Sequence, residues 1–227
     1  MSDFADTALA VTARLRSLFP ATPLQKNAYL SQKYGAEIWL KREDLSPVRS
    51  YKIRGAFNAM RKALEADPGQ SMFVAASAGN HAQGVAFNCA HFGVTGVIFM
   101  PVTTPRQKVD KTRAFGGNSV EIRLVGDYFD ETLRVAQAFC AERGAHFLAP
   151  FDDPHVIEGQ SSVAVEMLQE LGTPPDLVIL PVGGGGLASG VKWYFDEMAP
   201  GVPLWLVEPA GGASLTAALA VGAPETL

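Results

Sequence analysis

The sequence lacks the features typical of secreted, membrane-spanning and nucleic-acid-binding proteins. Only two of its 227 residues are cysteines, Cys89 and Cys140, and their apolar helical surroundings predict buried free thiols in a reducing compartment. No apolar run approaches the ~18 residues that a membrane-spanning helix needs. The net charge is −4 and no lysine or arginine run occurs, so neither nucleic acid nor an anionic membrane is an expected partner. The acidic, mixed residues 1–6 are unlike a signal or transit peptide, and we expect a cytoplasmic protein.

The sequence does contain a regular alternation of short apolar runs and amphipathic segments. Its composition, 48% hydrophobic and 19% charged, is that of a globular protein. The alternation predicts strands at residues 37–41, 72–76, 96–100, 119–124, 146–148, 177–181 and 204–207, and helices at residues 5–17, 53–65, 80–92, 105–114, 128–143, 156–171, 187–197 and 213–221. Buried strands that alternate with helices are typical of α/β proteins, whose mostly parallel sheets are covered by helices.

Two joints that contain prolines and acidic residues suggest a division into two lobes. They lie at residues 44–50 and 150–154. We therefore predict a large lobe formed by residues 1–46 and 147–227 and a small lobe formed by residues 46–146. Ligands of such folds bind beyond the carboxyl ends of the strands, where helices begin.

Lys52 stands at one of these positions, just before a helical pattern of apolar residues at 53–60. We expect Ser50 or the preceding loop to cap this helix, which places Lys52 in the first turn, where the helix dipole opposes a cation. That position and partial burial would both lower the pKa of Lys52, and a neutral amine is what condensation with an aldehyde cofactor requires. Local context alone is equally consistent with a solvated surface lysine.

Residues 183–186 are four consecutive glycines between a predicted strand and a predicted helix. Each glycine costs roughly 0.5–1 kcal/mol relative to alanine, so a run of four indicates backbone N–H groups that surround a ligand, most simply a phosphate. A flexible loop is one alternative. Another is a nicotinamide-binding oxidoreductase, because a Gly-x-Gly-x-x-Ala pattern starts at residue 183 and Glu208 ends the next strand.

The loop Ser-Ala-Gly-Asn-His at residues 77–81 follows a predicted strand. Its N–H groups can hold a carboxylate at the start of a helix. The amide of Asn80 can either cap that helix or bond a ring oxygen of a cofactor attached to Lys52. His81 is best interpreted as a packed or capping histidine, with a catalytic role as the alternative.

Together these segments resemble the threonine dehydratase (threonine ammonia-lyase) family, whose two-lobed pyridoxal-phosphate fold is called type II and is similar to that of the tryptophan synthase β subunit. The resemblance covers most of residues 18–220. It is carried, in this order, by the segments WLKREDLSPVRSYKIRGAFNAM, VAASAGNHAQGVA, FMPVTTPRQKV, GDYFDET, APFDDPHVIEGQ and LPVGGGGLASGV.

The resemblance implies a role for each matching residue. Lys52 would form the Schiff base with pyridoxal 5′-phosphate, Tyr51 would buttress the cofactor and Asn80 would contact its ring hydroxyl. The implied phosphate cradle consists of Gly183, Gly184, Gly185, Gly186 and Leu187. The implied loop for the substrate carboxylate consists of Ser77, Ala78, Gly79, Asn80 and His81. The resemblance also allows a divalent-cation site near Glu208, but the acid that usually accompanies it is absent from residues 210–213, so no metal ligand is assigned.

The resemblance also implies a β-elimination in amino-acid metabolism, in the biosynthesis of isoleucine. L-threonine, and L-serine as a secondary substrate, would yield 2-oxobutanoate or pyruvate together with ammonia. Lys52 is the implied base for the Cα proton, and the cofactor phosphate is the implied acid for the leaving hydroxyl. The related serine racemases carry a second serine at the position of Ala78, so elimination is favoured over a racemase-like activity.

The family pattern extends further than this sequence. Its members continue for roughly a hundred residues past the position of Leu227, to complete the large lobe. We therefore expect a large lobe truncated at its C-terminus, with an exposed apolar sheet edge and without the residue that contacts the ring nitrogen. The remaining alternative is an inactive truncated fragment. For the full-length protein a homo-oligomer is expected.

Overall fold

The structure, a computed structural model, describes residues 4–223. The predicted lobe ends at residues 1–3 and 224–227 lie outside that range. The helices are α1 (Phe4–Leu15), α2 (Ala28–Tyr34), α3 (Lys52–Ala66), α4 (Asn80–Phe92), α5 (Arg106–Gly116), α6 (Phe129–Arg143), α7 (Pro154–Leu171), α8 (Gly186–Met198) and α9 (Ser214–Val221). The strands are β1 (Leu24–Lys26), β2 (Trp39–Lys41), β3 (Met72–Ala76), β4 (Thr95–Met100), β5 (Val120–Leu124), β6 (His146–Phe147), β7 (Val178–Pro181) and β8 (Leu204–Val207).

The largest sheet contains four parallel strands in the order β5-β4-β3-β6. The side chains of β3 alternate between two hydrophobic clusters. Phe73 and Ala75 pack in the cluster that includes residues of α3 and α4, whereas Val74 and Ala76 pack in the cluster that includes residues of α6. Since both faces of the sheet are covered, β3 is apolar along its whole length. The predicted α/β architecture is confirmed.

A second parallel pair, β7 and β8, packs on one side against α1, α7 and α8. Its other side is open. Ile179, Trp205 and Val207 are 61%, 63% and 54% exposed, which is unusual for the apolar residues of a parallel strand pair. The exposed apolar residues lie on one face of this strand pair, whereas the expectation was an exposed apolar sheet edge.

The strand predicted at 37–41 is present as a shorter strand that lies outside the parallel sheets. This strand, Trp39–Lys41, pairs antiparallel with Leu24–Lys26 in a separate two-stranded sheet. The strand Leu24–Lys26 was not predicted, because three residues are too few for a periodic pattern. The short helix Ala28–Tyr34 was not predicted either, although Asn27 caps its start by accepting from the Leu30 N–H and Gly35 ends it at φ 63°.

Helix α3, which begins at Lys52, crosses α7 at very short range. A Cβ on Gly159 would lie 2.5 Å from the carbonyl oxygen of Arg54, and a Cβ on Gly55 would lie 2.3 Å from Nε2 of Gln160. The atom on Gly159 would meet the backbone of α3, so a helix would have to move, whereas the atom on Gly55 would displace the side chains of Gln160 and Val156. These two glycines therefore allow the backbones of α3 and α7 to approach closely, which fixes the position of the first turn of α3.

A buried ionic network holds the same crossing. The guanidinium of Arg54 is 0% exposed and donates to both oxygens of Glu43 at 2.8 Å. It also donates to both oxygens of Glu166, at 2.9 and 2.8 Å. Lys41 contacts the Glu166 carboxylate at 2.7 Å, and Arg16 pairs with it too. A buried charge is tolerable only when it is paired this completely, so the network ties α1, β2, α3 and α7 together.

The network changes the acidity of Glu166. Burial by itself raises its pKa, but hydrogen bonds and charge interactions from Arg54 and Lys41 outweigh burial and lower the pKa from 4.5 to about 2. The ionised carboxylate is therefore the form that the fold stabilises.

The two cysteines agree with the sequence analysis, since Cys89 and Cys140 are buried and free. Between residues 4 and 223, no helix combines the length and apolarity that crossing a membrane would require. The division into lobes near residues 46 and 147 stays a prediction.

We predict that Gly159→Ala lowers the free energy of unfolding by about 1–3 kcal/mol, because its methyl group would press on the Arg54 carbonyl. Urea denaturation followed by circular dichroism measures the change. Gly183→Ala is the matched control, since a Cβ there meets nothing within 4 Å. Equal stability of the two variants would contradict the close crossing.

We predict that Glu166→Gln lowers the free energy of unfolding at pH 7 by roughly 3–5 kcal/mol, because it leaves buried cations underpaired. The contribution of Glu166 is fully present above pH 4.5 and is lost as pH falls towards 2, so the variant should lose less stability than the wild type across that interval. Denaturant titrations at several pH values test both effects. Glu65→Gln, which removes an exposed pair with Arg61, should cost under about 1 kcal/mol. A smaller loss at Glu166 than at Glu65 would rule the network out as an anchor.

Candidate active site

A cleft of about 250 Å³ lies where the first turn of α3, the segment between β6 and α7, and the first turn of α8 meet. It is lined by Tyr51, Lys52, Phe151, Pro181, Val182, Gly183, Gly184, Gly185, Gly186, Leu187 and Ala188. The cleft therefore brings together every predicted cofactor ligand except Asn80. Its position beyond the ends of β6 and β7 is where ligands of parallel sheets bind.

Lys52 is the first residue of α3 and is half-buried. Its Nζ donates to the carbonyl oxygen of Pro150 at 2.5 Å and lies 5.4 Å from the ring centroid of Tyr51 and 6.0 Å from that of Phe151. Burial lowers the pKa of Lys52 from 10.5 to about 8, in the direction that its sequence position suggested. About a tenth of the amine is thus uncharged at pH 7, far more than for an ordinary lysine, and this neutral form is the nucleophile.

The loop before Lys52 is fixed by its own contacts. Ser46 Oγ accepts from the Ser50 N–H and donates to the Ser50 carbonyl oxygen, both at 2.9 Å. Arg49 has a φ of 60°, the left-handed conformation that non-glycine residues adopt at a cost. The N-cap of α3 is Tyr51, which makes no side-chain capping bond, and Ser50 Oγ has no partner in the described chain. The expectation that Ser50 caps the helix is therefore wrong; the loop is held by Ser46.

The four positions of the glycine run differ in why they need glycine. A Cβ on Gly184 would lie 2.2 Å from the Phe151 ring, and a Cβ on Gly186 would lie 2.9 Å from the Phe151 carbonyl oxygen. Gly185, the N-cap of α8, has a φ of 85° and needs glycine for its backbone conformation. Gly183 has no neighbour within 4 Å and a φ outside the left-handed region. The fold therefore requires glycine at positions 184, 185 and 186. It does not require glycine at position 183, so a functional role is the remaining reason for Gly183.

The loop at residues 77–81 does not line the cleft. Gly79 is the N-cap of α4, so the suggestion that Asn80 caps this helix is wrong. Asn80 is the first helical residue, is exposed, and its amide makes no hydrogen bond within the described residues. Ser77 Oγ accepts from the Gly79 N–H at 3.2 Å, which tightens the turn.

His81 is packed inside the protein, in agreement with the favoured interpretation of the sequence. Its Nε2 lies 3.0 Å from the carbonyl oxygen of Leu148. Burial, with a smaller contribution from the charge of Lys52, lowers the pKa of His81 to about 4. The ring is therefore neutral at pH 7 and does not supply an acidic proton there.

Helix α4 nevertheless lies against the lysine. A Cβ on Gly84 would lie 3.0 Å from the carbonyl carbon of Lys52, and Asn88 donates to the carbonyl oxygen of Ile53 at 3.1 Å. Asn80 precedes Gly84 by four residues and so lies on the same helix face. The exposed amide of Asn80 is therefore placed on the side of α4 that faces the start of α3.

Glu208, the residue on which the dinucleotide alternative depends, is already engaged. Its carboxylate accepts from the backbone N–H groups of Leu215 and Thr216 at 2.7 and 3.0 Å. These bonds cap α9, and they lower the pKa of the carboxyl group. A ribose would have to compete with this helix cap.

Two important groups were missed by the sequence analysis. Phe151 forms a wall of the cleft, and its only signal was an aromatic residue between the prolines of a predicted joint. The Arg54 network left no periodic signal either, although Arg54 follows Lys52 by two positions and cannot point to solvent on an apolar helix face.

Known proteins are similar in sequence to nearly the whole length of this chain. Residues 16–227 match the family model described as pyridoxal-phosphate dependent enzyme. L-threonine dehydratase biosynthetic IlvA of Bacillus subtilis is 49% identical over 85% of this chain and 46% of its own length. This chain spans about half the length of the curated relatives it matches.

Solved structures show the same fold. The processed form of threonine deaminase isoform 2 from Solanum lycopersicum matches 100% of this chain and 65% of its own, with a TM-score of 0.89 and 37% identity. Maize serine racemase matches 98% of this chain and 66% of its own, with a TM-score of 0.90 and 28% identity. These matches and the engaged carboxylate of Glu208 decide against a dinucleotide enzyme. The chain belongs to the family of pyridoxal-phosphate-dependent enzymes.

Proposed function

We propose that this chain carries the reactive lysine and the cofactor cradle of an L-threonine ammonia-lyase. The reaction is a β-elimination that converts L-threonine to 2-oxobutanoate and ammonia, and L-serine to pyruvate and ammonia. The observation that carries the proposal is the half-buried amine of Lys52, whose pKa is lowered to about 8, in one cleft with the glycine run. The 49% identity to a threonine dehydratase, against 28% to a serine racemase, supports the choice of reaction.

The residues of the cleft fit pyridoxal phosphate. Gly183 and Gly185 leave open space where a Cβ would project, so a phosphate can approach the backbone at the start of α8. Lys52 supplies the amine at the same cleft. Asn80 offers an amide without a partner in the described chain on the helix face towards α3, which suits a ring oxygen. The turn at 77–79, just before it, would hold the substrate carboxylate.

When bound, the cofactor supplies an electron sink that acidifies the Cα–H bond of the substrate. The chain supplies the rest. Lys52 Nζ in its neutral form takes the Cα proton, and the Pro150 carbonyl oxygen orients that nitrogen. The rings of Tyr51 and Phe151 exclude water from the amine and keep its pKa low. His81 stays neutral and positions the start of α4 through its contact with Leu148.

We further propose a cytoplasmic protein and, for the whole polypeptide, a homo-oligomer that acts on a free amino acid. The two buried free thiols support a reducing compartment. Exposed aromatic residues on and beside α2, Tyr29 and Tyr34 among them, support a subunit contact.

We predict that the wild type, mixed with pyridoxal phosphate, gains the visible absorption of a cofactor condensed with a lysine, and that Lys52→Ala does not. Ammonia release from L-threonine should fall at least about 100-fold in Lys52→Ala, because the general base is lost. Lys111→Ala, an exposed lysine on α5, is the matched control and should keep both signals. Cofactor binding without ammonia release in the wild type would contradict the lyase proposal.

We predict that the wild type forms no D-serine from L-serine, because Ala78 has no proton to donate from the opposite side of the substrate. Ala78→Ser restores such a group and should give measurable D-serine. Chiral chromatography of the product mixture measures it. D-serine formed by the wild type at a rate comparable to pyruvate would favour a racemase.

A further inference from the structure

Phe151 lies between the two sides of the cleft, which are the glycine run at residues 183–186 and the first turn of α3 with Lys52. Its ring lies where a Cβ on Gly184 would project, at 2.2 to 2.5 Å, and its backbone lies where a Cβ on Gly186 would project. The same ring is 6.0 Å from Lys52 Nζ. Although the ring is 39% exposed, it therefore has a defined seat, formed by glycines that carry no side chain.

The residue before it completes the connection. The carbonyl oxygen of Pro150 accepts from Lys52 Nζ at 2.5 Å. Because the Pro150 carbonyl belongs to the peptide bond that links it to Phe151, a shift of the Phe151 backbone away from Gly186 would move the acceptor of the lysine. On the far side the segment is fixed, since Asp153 caps α7 by accepting from the N–H groups of His155 and Val156 at 2.7 and 3.0 Å.

We propose that Phe151 is a positioning residue that couples the glycine loop to the lysine: seated on Gly184 and Gly186, it holds the Pro150 carbonyl against Lys52 Nζ and shields that amine from water. The inference rests on the proposed function, because it assigns to Phe151 the control of the amine that performs the chemistry. The same proposal gives Gly184 a second role besides its place in the phosphate cradle, because its missing side chain leaves room for the Phe151 ring.

Few titratable groups compete with Phe151 for control of the lysine. Tyr51 adjoins Lys52 in the chain, and His81 faces it from α4 as a neutral ring. On α7, the carboxylate of Asp153 is engaged in capping its own helix. The glycine loop contributes no charged side chain to the lining of the cleft. Burial is thus the influence that lowers the pKa of Lys52, and the Phe151 ring, whose centroid lies 6.0 Å from Nζ, is one of the groups positioned to provide it.

The experiment measures the reactivity of Lys52 in the cofactor-free protein. An amine-selective reagent is applied at a series of pH values, and peptide mass spectrometry reads the labelling rate of Lys52. The wild type should show a midpoint near pH 8. In Phe151→Ala the amine becomes hydrated, so the midpoint should rise by at least about one pH unit and the rate at pH 7 should fall about tenfold. The ring lies at the outer limit of the cation–π range of about 6 Å, so its loss as a cation partner does not reverse this direction.

Two matched pairs separate positioning from general damage. Phe151→Leu keeps apolar cover over the amine and should retain most of the wild-type profile. Gly184→Ala displaces the ring without removing it and should shift the midpoint upward, whereas Gly183→Ala, whose Cβ meets nothing within 4 Å, should not. Phe129→Ala, a similarly exposed ring on α6, controls for the loss of an aromatic side chain.

The proposal is overturned if folded Phe151→Ala or folded Gly184→Ala keeps the wild-type Lys52 profile, since Phe151 would then be only a packing contact. Near-ultraviolet circular dichroism establishes folding. If Phe151→Ala does not fold, the contrast between Gly184→Ala and Gly183→Ala decides alone. Failure of the proposed function is a separate result: the wild type would then gain no cofactor absorption, whatever the labelling profiles show.

Discussion

The structure around the candidate active site depends on the burial of one guanidinium, that of Arg54. A fully buried cation must be neutralised by partners, and Arg54 obtains them from Glu43 and Glu166. Glu43 belongs to the segment after β2 and Glu166 to the middle of α7, so satisfying one charge forces these elements to meet at the start of α3. Lys52 is two residues away on the same helix. The position of Lys52 in the cleft therefore depends on an ionic network whose residues do not line the cleft.

Close backbone approach is the second constraint. Because glycine has no side chain, the carbonyl of Arg54 can lie against Gly159, the backbone of Lys52 against Gly84, and the ring of Phe151 against Gly184. Each glycine removes a side chain at a point where another element must pass. On one side the cleft is lined by the backbone of the glycine run, which suits the binding of a phosphate by N–H groups, and the rings of Tyr51 and Phe151 lie beside the amine.

Much of this could be predicted from local patterns. The apolar run of β3 and the helical spacing after Lys52 are short-range signals, because both faces of the sheet are covered and one face of α3 is buried. The glycine run also predicted a ligand site, because four consecutive glycines carry an entropic cost that a simple turn does not need. Local patterns did not predict β1, because a three-residue strand is too short to show a period. They also gave the wrong helix cap where the cap was inferred from residue type alone. Asn80 looked like a cap, yet Gly79 occupies that position and leaves the amide of Asn80 exposed.

The sequence alone determined the alternation of strands and helices, the lysine at a helix start and the family resemblance, because these are written in neighbouring residues. Only the tertiary structure decided that Phe151 seats on Gly184, that Pro150 accepts from Lys52, and that Glu208 caps a helix and is not available to a ribose. The physical reason is that local patterns do not encode these contacts. Phe151 and Pro150 meet residues far apart in the chain, so their contacts depend on how closely the elements approach, whereas the Glu208 cap spans seven and eight residues and depends on how the chain turns after β8.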